Sequence, residues 1–327
     1  MATTRSLLLD SPLSIKAMGS LAGRAEKAGF DRIWIAETDG PDALVTAALV
    51  SMRTKRVQIG TSIVPSYSRT PAVLGMAADT LAGALENRPF ILGIGTGGQA
   101  IVERWHGLAM VKPLKQIEES VQILRSVLAG DKTDFVGEAL TSRGFRLRRQ
   151  GGEGVRIFLA ALGPRMLSLG SRIADGVILT LTPARHLPEV VDRIRKKVTK
   201  AGRDPDAVEI VCRAPVVVDP NEDSASERAR AHLSFYLPSL PYNRYLSSLG
   251  YSEECARFLE AFSVGDRVAS RAAISKRMLD DLIVQGSNEE CRDRLSDYLS
   301  AGIDDLMVSP VFSDPVSSEV DVSVLKP

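Results

Sequence analysis

Short apolar runs alternate with longer amphipathic stretches through most of the chain. The runs are rich in β-branched residues and bounded by turn residues, which is typical of buried strands. They span residues 5–9, 32–36, 57–63, 90–94, 156–160, 176–180, 208–218 and 304–308. The alternation predicts eight strand–helix units.

The stretches between the runs have the residue spacing of helices. After the fourth run, Leu114, Ile117, Val121 and Leu124 form one apolar stripe, which Gly130 ends. The start of the first helix is predicted from its capping residues. Ser11 followed by Pro12 is expected to cap and open this helix.

Strands that are separated by helices pair in parallel through right-handed crossovers, and eight such units can close on themselves. We therefore expect an α/β fold, a (β/α)8 TIM barrel, with an open doubly wound sheet as the alternative. The chain is expected to form one domain over residues 1–327. Two segments at about 134–154 and 237–285 do not fit the alternation and are interpreted as insertions, and the tail from residue 313 is polar.

Composition and charge restrict the function. The net charge of +1 gives no overall field that would attract nucleic acid or an acidic membrane. The first apolar run is too short for a signal peptide, and no run approaches the roughly 20 apolar residues of a membrane span. Three distant cysteines favour free thiols in a reducing compartment, so we expect a cytoplasmic protein.

Active sites of such barrels lie at the carboxyl ends of the strands. Glu37 and Thr38 follow the second strand, and Glu37 is a candidate acid, base or hydrogen-bond acceptor. The alternative is a helix-entry loop in which Asp39 or Asp42 acts as the N-cap. Ser62 and Ile63 follow the third strand.

Arg69 follows the same strand a little later. It is interpreted either as an anion-binding side chain or as a solvated charge ahead of the next helix.

The fourth strand leads into a glycine-rich segment that contains Gly95, Thr96 and Gly97. Gly93, Gly95 and Gly98 match the G-x-G-x-x-G pattern. No helix follows this segment at once, so a dinucleotide-binding fold is not favoured. Glycines here allow a flat ligand to approach the backbone closely. His106 follows the loop and is the histidine nearest to the predicted site, with a surface or packing role as the alternative.

A turn of small residues follows the fifth strand. It contains Ala161, Leu162 and Gly163, and Arg165 lies in the helix that the turn opens. Backbone N–H groups at such a helix start can bind an anion, and a plain tight turn is the alternative. Thr180 ends the next strand and could add a hydroxyl group.

The chain has no metal-binding cluster such as H-E-x-x-H and no G-x-S-x-G nucleophile elbow. An enzyme without an obvious nucleophile or metal site is expected to use a coenzyme, which carries out the difficult chemical step.

These loops also carry a resemblance. The sequence resembles the luciferase-like family, in particular its branch of methylenetetrahydromethanopterin reductases and F-420-dependent dehydrogenases. The matching stretches, which lie within residues 1–180, are Ala28-Gly29-Phe30-Asp31, Gly60-Thr61-Ser62-Ile63, Arg69-Thr70-Pro71, Leu92-Gly93-Ile94-Gly95-Thr96-Gly97, Lys112-Pro113-Leu114, Ala160-Ala161-Leu162-Gly163-Pro164 and Ala174-Asp175-Gly176-Val177.

The resemblance implies an oxidoreductase with the deazaflavin coenzyme F-420 in the barrel mouth, acting on a small molecule. It implies a cis peptide and bulge at Ser62–Ile63 beneath the cofactor ring, a phosphate near Leu162 and Gly163, and a homodimer. FMN is the alternative cofactor. The alternative functions are an FMN-dependent monooxygenase and a non-catalytic flavin- or deazaflavin-binding protein, which the fold alone does not distinguish.

Two positions depart from the family pattern. Dehydrogenases of the branch have an Asp-His pair where this chain has Glu37 and Thr38, and Gln99 lies near the place of a glutamate in their glycine loop. These departures favour a reductase acting on a C=N or C=C bond over an alcohol or sugar dehydrogenase.

Overall fold

The computed structural model describes residues 3–86, 88–148 and 154–312. The end of the first predicted insertion and the polar tail from residue 313 lie outside these ranges. The strands are β1 (Thr4–Leu9), β2 (Arg32–Ile35), β3 (Gln58–Thr61), β4 (Val64–Pro65), β5 (Phe90–Gly95), β6 (Asp134–Val136), β7 (Thr141–Arg143), β8 (Val155–Ala160), β9 (Gly176–Thr180), β10 (Glu209–Val218), β11 (Val284–Gly286) and β12 (Asp305–Pro310).

Eight of these strands pair in parallel and close into a ring. Their order is β1-β2-β3-β5-β8-β9-β10-β12, and β12 returns to β1. The predicted (β/α)8 barrel is confirmed, and the open sheet is excluded because β9 and β10 complete the ring. Of the remaining strands, β4 pairs with β5, β11 extends the sheet beside β10, and β6 and β7 form a separate antiparallel hairpin.

Helices surround the barrel and form the second insertion. They are α1 (Ile15–Ala28), α2 (Ala43–Ser51), α3 (Pro71–Ala84), α4 (Pro113–Ala129), α5 (Pro164–Ile173), α6 (Leu187–Lys200), α7 (Glu222–Tyr236), α8 (Leu240–Leu246), α9 (Ser252–Ser263), α10 (Arg267–Ala272), α11 (Lys276–Leu282) and α12 (Asn288–Leu299). No helix in the described ranges is both long and apolar enough to cross a membrane.

Local sequence explains most helix ends. Gly29 ends α1 with a φ of 85°, a left-handed conformation that glycine adopts without a Cβ clash. One predicted start is wrong. Ser14, not Ser11, caps α1 by accepting a hydrogen bond from the N–H of Ala17, and Pro12 lies before the helix after a cis peptide bond.

The barrel interior holds two large aromatic rings in its middle layer. Trp34 and Phe158 are fully buried, with ring centroids 5.8 Å apart. A Cβ at Gly60 would lie 2.6 Å from the Trp34 ring, and one at Gly176 would lie 2.4 Å from the Phe158 ring. Glycine at both positions is therefore what lets the rings fit.

Below the rings, the amino ends of the strands carry a buried ionic cluster. The Arg32 guanidinium donates to carboxylates of Glu209 and Asp305, each at 2.6 Å, and to the side chain of Gln58. Arg156 donates to the other oxygen of Glu209, also at 2.6 Å. The two cations and two anions balance each other in charge.

Neighbouring donors complete the coordination of Asp305. Ser6 donates to it at 2.6 Å and the indole N–H of Trp34 at 3.1 Å. Burial raises the pKa of Asp305 to about 6, although Arg32, Ser6 and Trp34 act in the opposite direction. Burial also raises the pKa of Glu209, but Arg32 and Arg156 bring it below its usual range.

A second hydrophobic core lies under the insertion. Helices α7, α8, α9 and α11 pack their buried residues around Tyr251 and Phe258. Leu181, just after β9, and Val217, in the extension of β10, belong to the same cluster. The insertion is therefore packed directly on two barrel strands.

We expect Arg32→Met to destabilise the protein by about 3–5 kcal/mol, because it leaves buried carboxylates without their cation. Urea unfolding followed by circular dichroism measures this loss. Arg193→Met is the matched control, since Arg193 forms an exposed i,i+4 pair with Glu189 and such pairs contribute about 0–1 kcal/mol. The loss of stability in Arg32→Lys, which keeps the charge but lacks the planar guanidinium group, should fall between those of the two Met variants. Equal stability of the Arg32→Met and Arg193→Met variants would contradict the assignment.

Candidate active site

The chain breaks out of strand geometry at the carboxyl end of β3. The Ser62–Ile63 peptide bond is cis, as the family resemblance implied. At this point the Thr61 side chain takes the place of the backbone hydrogen bonds between β3 and β5. Its hydroxyl group donates to the carbonyl of Gly93 and accepts from the N–H of Gly93. A Cβ at Gly93 would lie 1.8 Å from the carbonyl oxygen of Thr61, so only glycine fits there.

The glycine-rich segment lies beside this bulge. A Cβ at Gly95 would lie 3.0 Å from the Ile63 side chain and 3.2 Å from that of Ala160. Gly97 has a φ of 72°, which turns the loop after Thr96. The structure therefore brings Ile63, Gly95 and Ala160 together as a surface of small and apolar groups at the barrel mouth.

His106 lies further from this surface in sequence and is exposed. It follows a short π-helical turn, Ala100–Trp105, and its backbone N–H donates to the carbonyl of Ile101. Trp105 beside it is 53% exposed, so the segment projects into solvent.

The turn after β8 places the predicted anion-binding residues at a helix start. Gly163 is the N-cap residue of α5, and in the described part of the chain no side chain caps that helix. A Cβ at Gly163 would meet no described atom within 4 Å. Ala161 is buried, Leu162 is half-buried, and Arg165 is exposed in the first turn. Free first-turn N–H groups beside open space suit an anion.

Thr180 ends β9 within the same mouth. Its Oγ1 is buried and has no hydrogen-bond partner among the described residues. The next residue, Leu181, has a φ of 51°, an uncommon conformation for leucine. An unsatisfied buried hydroxyl group is uncommon in native proteins and is consistent with a ligand that completes its hydrogen bonding.

Glu37 forms an ion pair, whereas the sequence offered a catalytic role and a helix-entry loop as alternatives for it. Arg69 donates to both of its carboxylate oxygens, at 2.6 and 2.9 Å, and the N–H of Ala43 donates to one of them at 2.9 Å. Arg69 also pairs with Asp42, the N-cap residue of α2. Arg69 is therefore neither an anion-binding side chain nor a solvated charge in this structure. It forms an ion pair at the start of α2. Thr38 is half-buried next to Glu37.

The opposite wall of the mouth contains polar residues that the sequence analysis missed. Arg213 donates to Asp10 at 3.1 Å and to the hydroxyl group of Ser309 at 3.0 Å. Tyr236 lies near Arg213, whose charge acts on its hydroxyl group. Burial raises the pKa of Tyr236, and Arg213 acts in the opposite direction. The sequence feature that could have indicated this polar wall was an arginine inside the apolar run of β10.

The fold and this mouth define the class: a (β/α)8-barrel enzyme with a site at the carboxyl ends of its strands. Among the described residues, no group of three histidine, cysteine or carboxylate side chains could hold a metal ion. The three cysteines, Cys212, Cys255 and Cys291, are free and buried.

Comparison with known families then identifies the particular group. Residues 1–305 match the luciferase-like monooxygenase family, and the chain belongs to that family. The chain is 27% identical to 5,10-methylenetetrahydromethanopterin reductase from Archaeoglobus fulgidus, with 90% of each protein covered. It is 26% identical to F-420-dependent glucose-6-phosphate dehydrogenase from Mycolicibacterium gilvum, with 88% of this chain and 85% of the relative covered.

Solved structures show the same fold. The coenzyme F-420-dependent tetrahydromethanopterin reductase from Methanopyrus kandleri superimposes with a TM-score of 0.84 at 20% identity, over 99% of this chain and 97% of the other. A long-chain alkane monooxygenase superimposes with a TM-score of 0.70 at 15% identity, over 99% and 89%.

Proposed function

We propose that the protein is a coenzyme F-420-dependent oxidoreductase of the reductase type. The observation that carries the proposal is the mouth itself, where the surface of Ile63, Gly95 and Ala160 and the Thr180 hydroxyl group, which has no partner among the described residues, lie at the carboxyl ends of the barrel strands. The names of the relatives, several of which are F-420-dependent enzymes, support the cofactor. When bound, the deazaflavin exchanges a hydride with the substrate.

The proposed cofactor site extends from the bulge to the start of α5. Ring contacts are assigned to the bulge and the glycine-rich loop, and the phosphate to the uncapped first turn of α5. The residues assigned to the cofactor are Thr38, Ser62, Ile63, Gly95, Thr96, Gly97, Ala161, Leu162, Gly163, Arg165 and Thr180.

The substrate is proposed to be a small molecule with a C=N or C=C bond. The argument rests on Glu37 and Gln99, which depart from the dehydrogenase pattern. Glu37 and His106 are the proposed catalytic residues, as proton donor or substrate anchor. Three hydrogen bonds to the Glu37 carboxylate, two of them from Arg69, argue against Glu37 as the donor, so His106 is the proposed donor.

We further propose that the chain is one domain with two insertions, located in the cytoplasm. The support for one domain is that Leu181 and Val217, at the ends of barrel strands, belong to the core of the second insertion. The buried free cysteines are consistent with a reducing compartment.

A homodimer is proposed from the outer face of α2 and α3. Helix α2 is apolar on all sides, and Val45, Leu49 and Met52 recur on its exposed face at helical spacing. Val73 and Met76 of the neighbouring helix α3 are each about half exposed. A helix that is apolar all round is normally buried, so a second copy of the chain is the proposed cover.

The cofactor assignment is tested by titrating the purified protein with F-420 and with FMN at equal salt. We expect F-420 to bind more tightly. Gly163→Val should weaken F-420 binding tenfold or more with little loss of stability, because φ at Gly163 is −106° and no described atom lies near its Cβ. The control is Gly23→Val on α1, where the Cβ comes no closer than 3.8 Å to Arg53.

Tighter FMN binding together with oxygen consumption would replace the proposal with a monooxygenase. Tight F-420 binding without turnover on any C=N or C=C substrate would indicate a binding protein instead.

The proton donor is tested by single-turnover oxidation of reduced F-420 with a working substrate. His106→Gln should slow the reaction by about 10²-fold or more, the usual effect of losing a general acid. Glu37→Gln should slow it less and should also loosen the start of α2. Wild-type rates in both variants would exclude both residues as the acid.

The dimer is tested by light scattering after size-exclusion chromatography. The wild-type protein should elute at twice the mass of one chain, and Leu49→Glu with Met52→Glu should elute as a monomer. Val264→Glu with Val268→Glu is the control, because these residues are 79% and 81% exposed on the insertion, away from α2. A monomeric wild-type protein, or a double variant at Leu49 and Met52 that stays dimeric, would contradict the proposed interface.

A further inference from the structure

A charged pair interrupts an otherwise uncharged row of interior positions at the carboxyl ends of the described barrel strands. Side chains of the barrel strands alternate between the interior and the outer helices. The described interior positions at the carboxyl ends are small and uncharged, apart from Asp10 and Arg213. The uncharged positions are Ala36, Ser62, Gly95, Ala160, Thr180 and Ser309.

The pair lies next to the proposed cofactor wall. Arg213 and Thr180 are direct neighbours in the parallel register of β10 and β9, and Glu209 and Val211 place the same row inside the barrel. The Arg213 side chain is only 11% exposed, so it points into the protein. Thr180, whose hydroxyl group has no partner among the described residues, is therefore the neighbour of Arg213 on the β9 side, whereas the guanidinium itself reaches toward β12 and β1.

A second unsatisfied atom lies close enough to Arg213 to feel its charge. Nε2 of His232 is buried and has no hydrogen-bond partner within the described ranges. The His232 ring packs against Tyr236, and the charge of Arg213 acts on both side chains. Burial lowers the pKa of His232 to about 3, with Arg213 acting in the same direction, so the ring is neutral at pH 7. Among the described residues, Thr180 and His232 thus each bring a buried polar atom without a partner to the neighbourhood of Arg213.

The charge balance decides what chemistry this pocket accepts. Asp10 already neutralises Arg213, and His232 adds no charge. A substrate carboxylate would meet the negative charge of Asp10 as well as the guanidinium, and a buried like charge is unfavourable. A neutral carbonyl oxygen can accept from Arg213 without disturbing the pair, because an oxygen acceptor and an N–H donor need no net charge.

We propose that Arg213 is a specificity-determining residue that binds the carbonyl oxygen of a neutral, conjugated C=C–C=O substrate. This inference rests on the proposed reductase function. In such a reduction, hydride from the reduced deazaflavin would form a bond to the β-carbon, the C=C pair would form a new double bond between the α-carbon and the carbonyl carbon, and the C=O pair would move onto the oxygen. A proton from the proposed donor, His106, would then add to the α-carbon. The product is the saturated carbonyl compound and the deazaflavin is oxidised. Arg213 would stabilise the negative charge on that oxygen.

The test uses cyclohex-2-enone as the neutral probe and crotonate as the charged one. Each is titrated into the protein loaded with oxidised F-420, and binding is followed by the cofactor absorbance and by calorimetry. The wild-type protein should bind cyclohex-2-enone more tightly than crotonate. Arg213→Met should weaken cyclohex-2-enone binding at least tenfold, and Arg213→Lys should weaken it less. The affinity for F-420 should change less than twofold in both variants.

Arg195→Met is the matched control, since Arg195 is also a largely buried arginine paired with an aspartate, Asp304, but lies at the amino end of the barrel. It should leave probe binding unchanged. Unchanged cyclohex-2-enone affinity in Arg213→Met, preference for crotonate, or no binding of either probe would overturn the inference. Failure of F-420 itself to bind the wild-type protein, while calorimetry detects cyclohex-2-enone, would instead overturn the proposed function and leave the role of Arg213 standing.

Discussion

The Arg32 ion cluster is the constraint on which the barrel depends. Its side chains come from six of the eight barrel strands, through Ser6, Arg32, Gln58, Arg156, Glu209 and Asp305. A buried arginine needs every donor satisfied, so these strands must meet in one register. A shift of any strand by one residue would turn its polar member to the outer face. The cluster thereby specifies how the ring closes.

The same interior changes character from floor to mouth. Charged groups fill the floor, Trp34 and Phe158 fill the middle, and small residues such as Gly95 and Ala160 line the top. Because the lower two layers already exclude water and supply rigidity, the upper layer needs no bulky side chains. A ligand surface of small groups is therefore compatible with a stable barrel.

Periodicity was enough to predict the ring, because burial on both faces makes parallel strands uniformly apolar. It was not enough to predict the interior charges. The partner of Arg32, Asp305, is 273 residues away, and a charge inside an apolar run has no local explanation. Arg69 illustrates the same limit, since its pairing with Glu37 depends on how two loops meet. The cis bond at Ser62 was accessible only through resemblance, because local propensity favours an extended chain there.

Strand β10 links these levels of the structure. Glu209 at its start belongs to the floor, Arg213 to the mouth, and Val217 to the core beneath the insertion. The wall proposed to face the substrate is thus built on a strand whose two ends are held independently. Residues of that wall, such as Tyr236, come from the helix after β10 and can differ without altering the floor or the glycine-rich wall. This separation would let one barrel keep the proposed cofactor surface constant while the opposite wall sets which substrate is accepted.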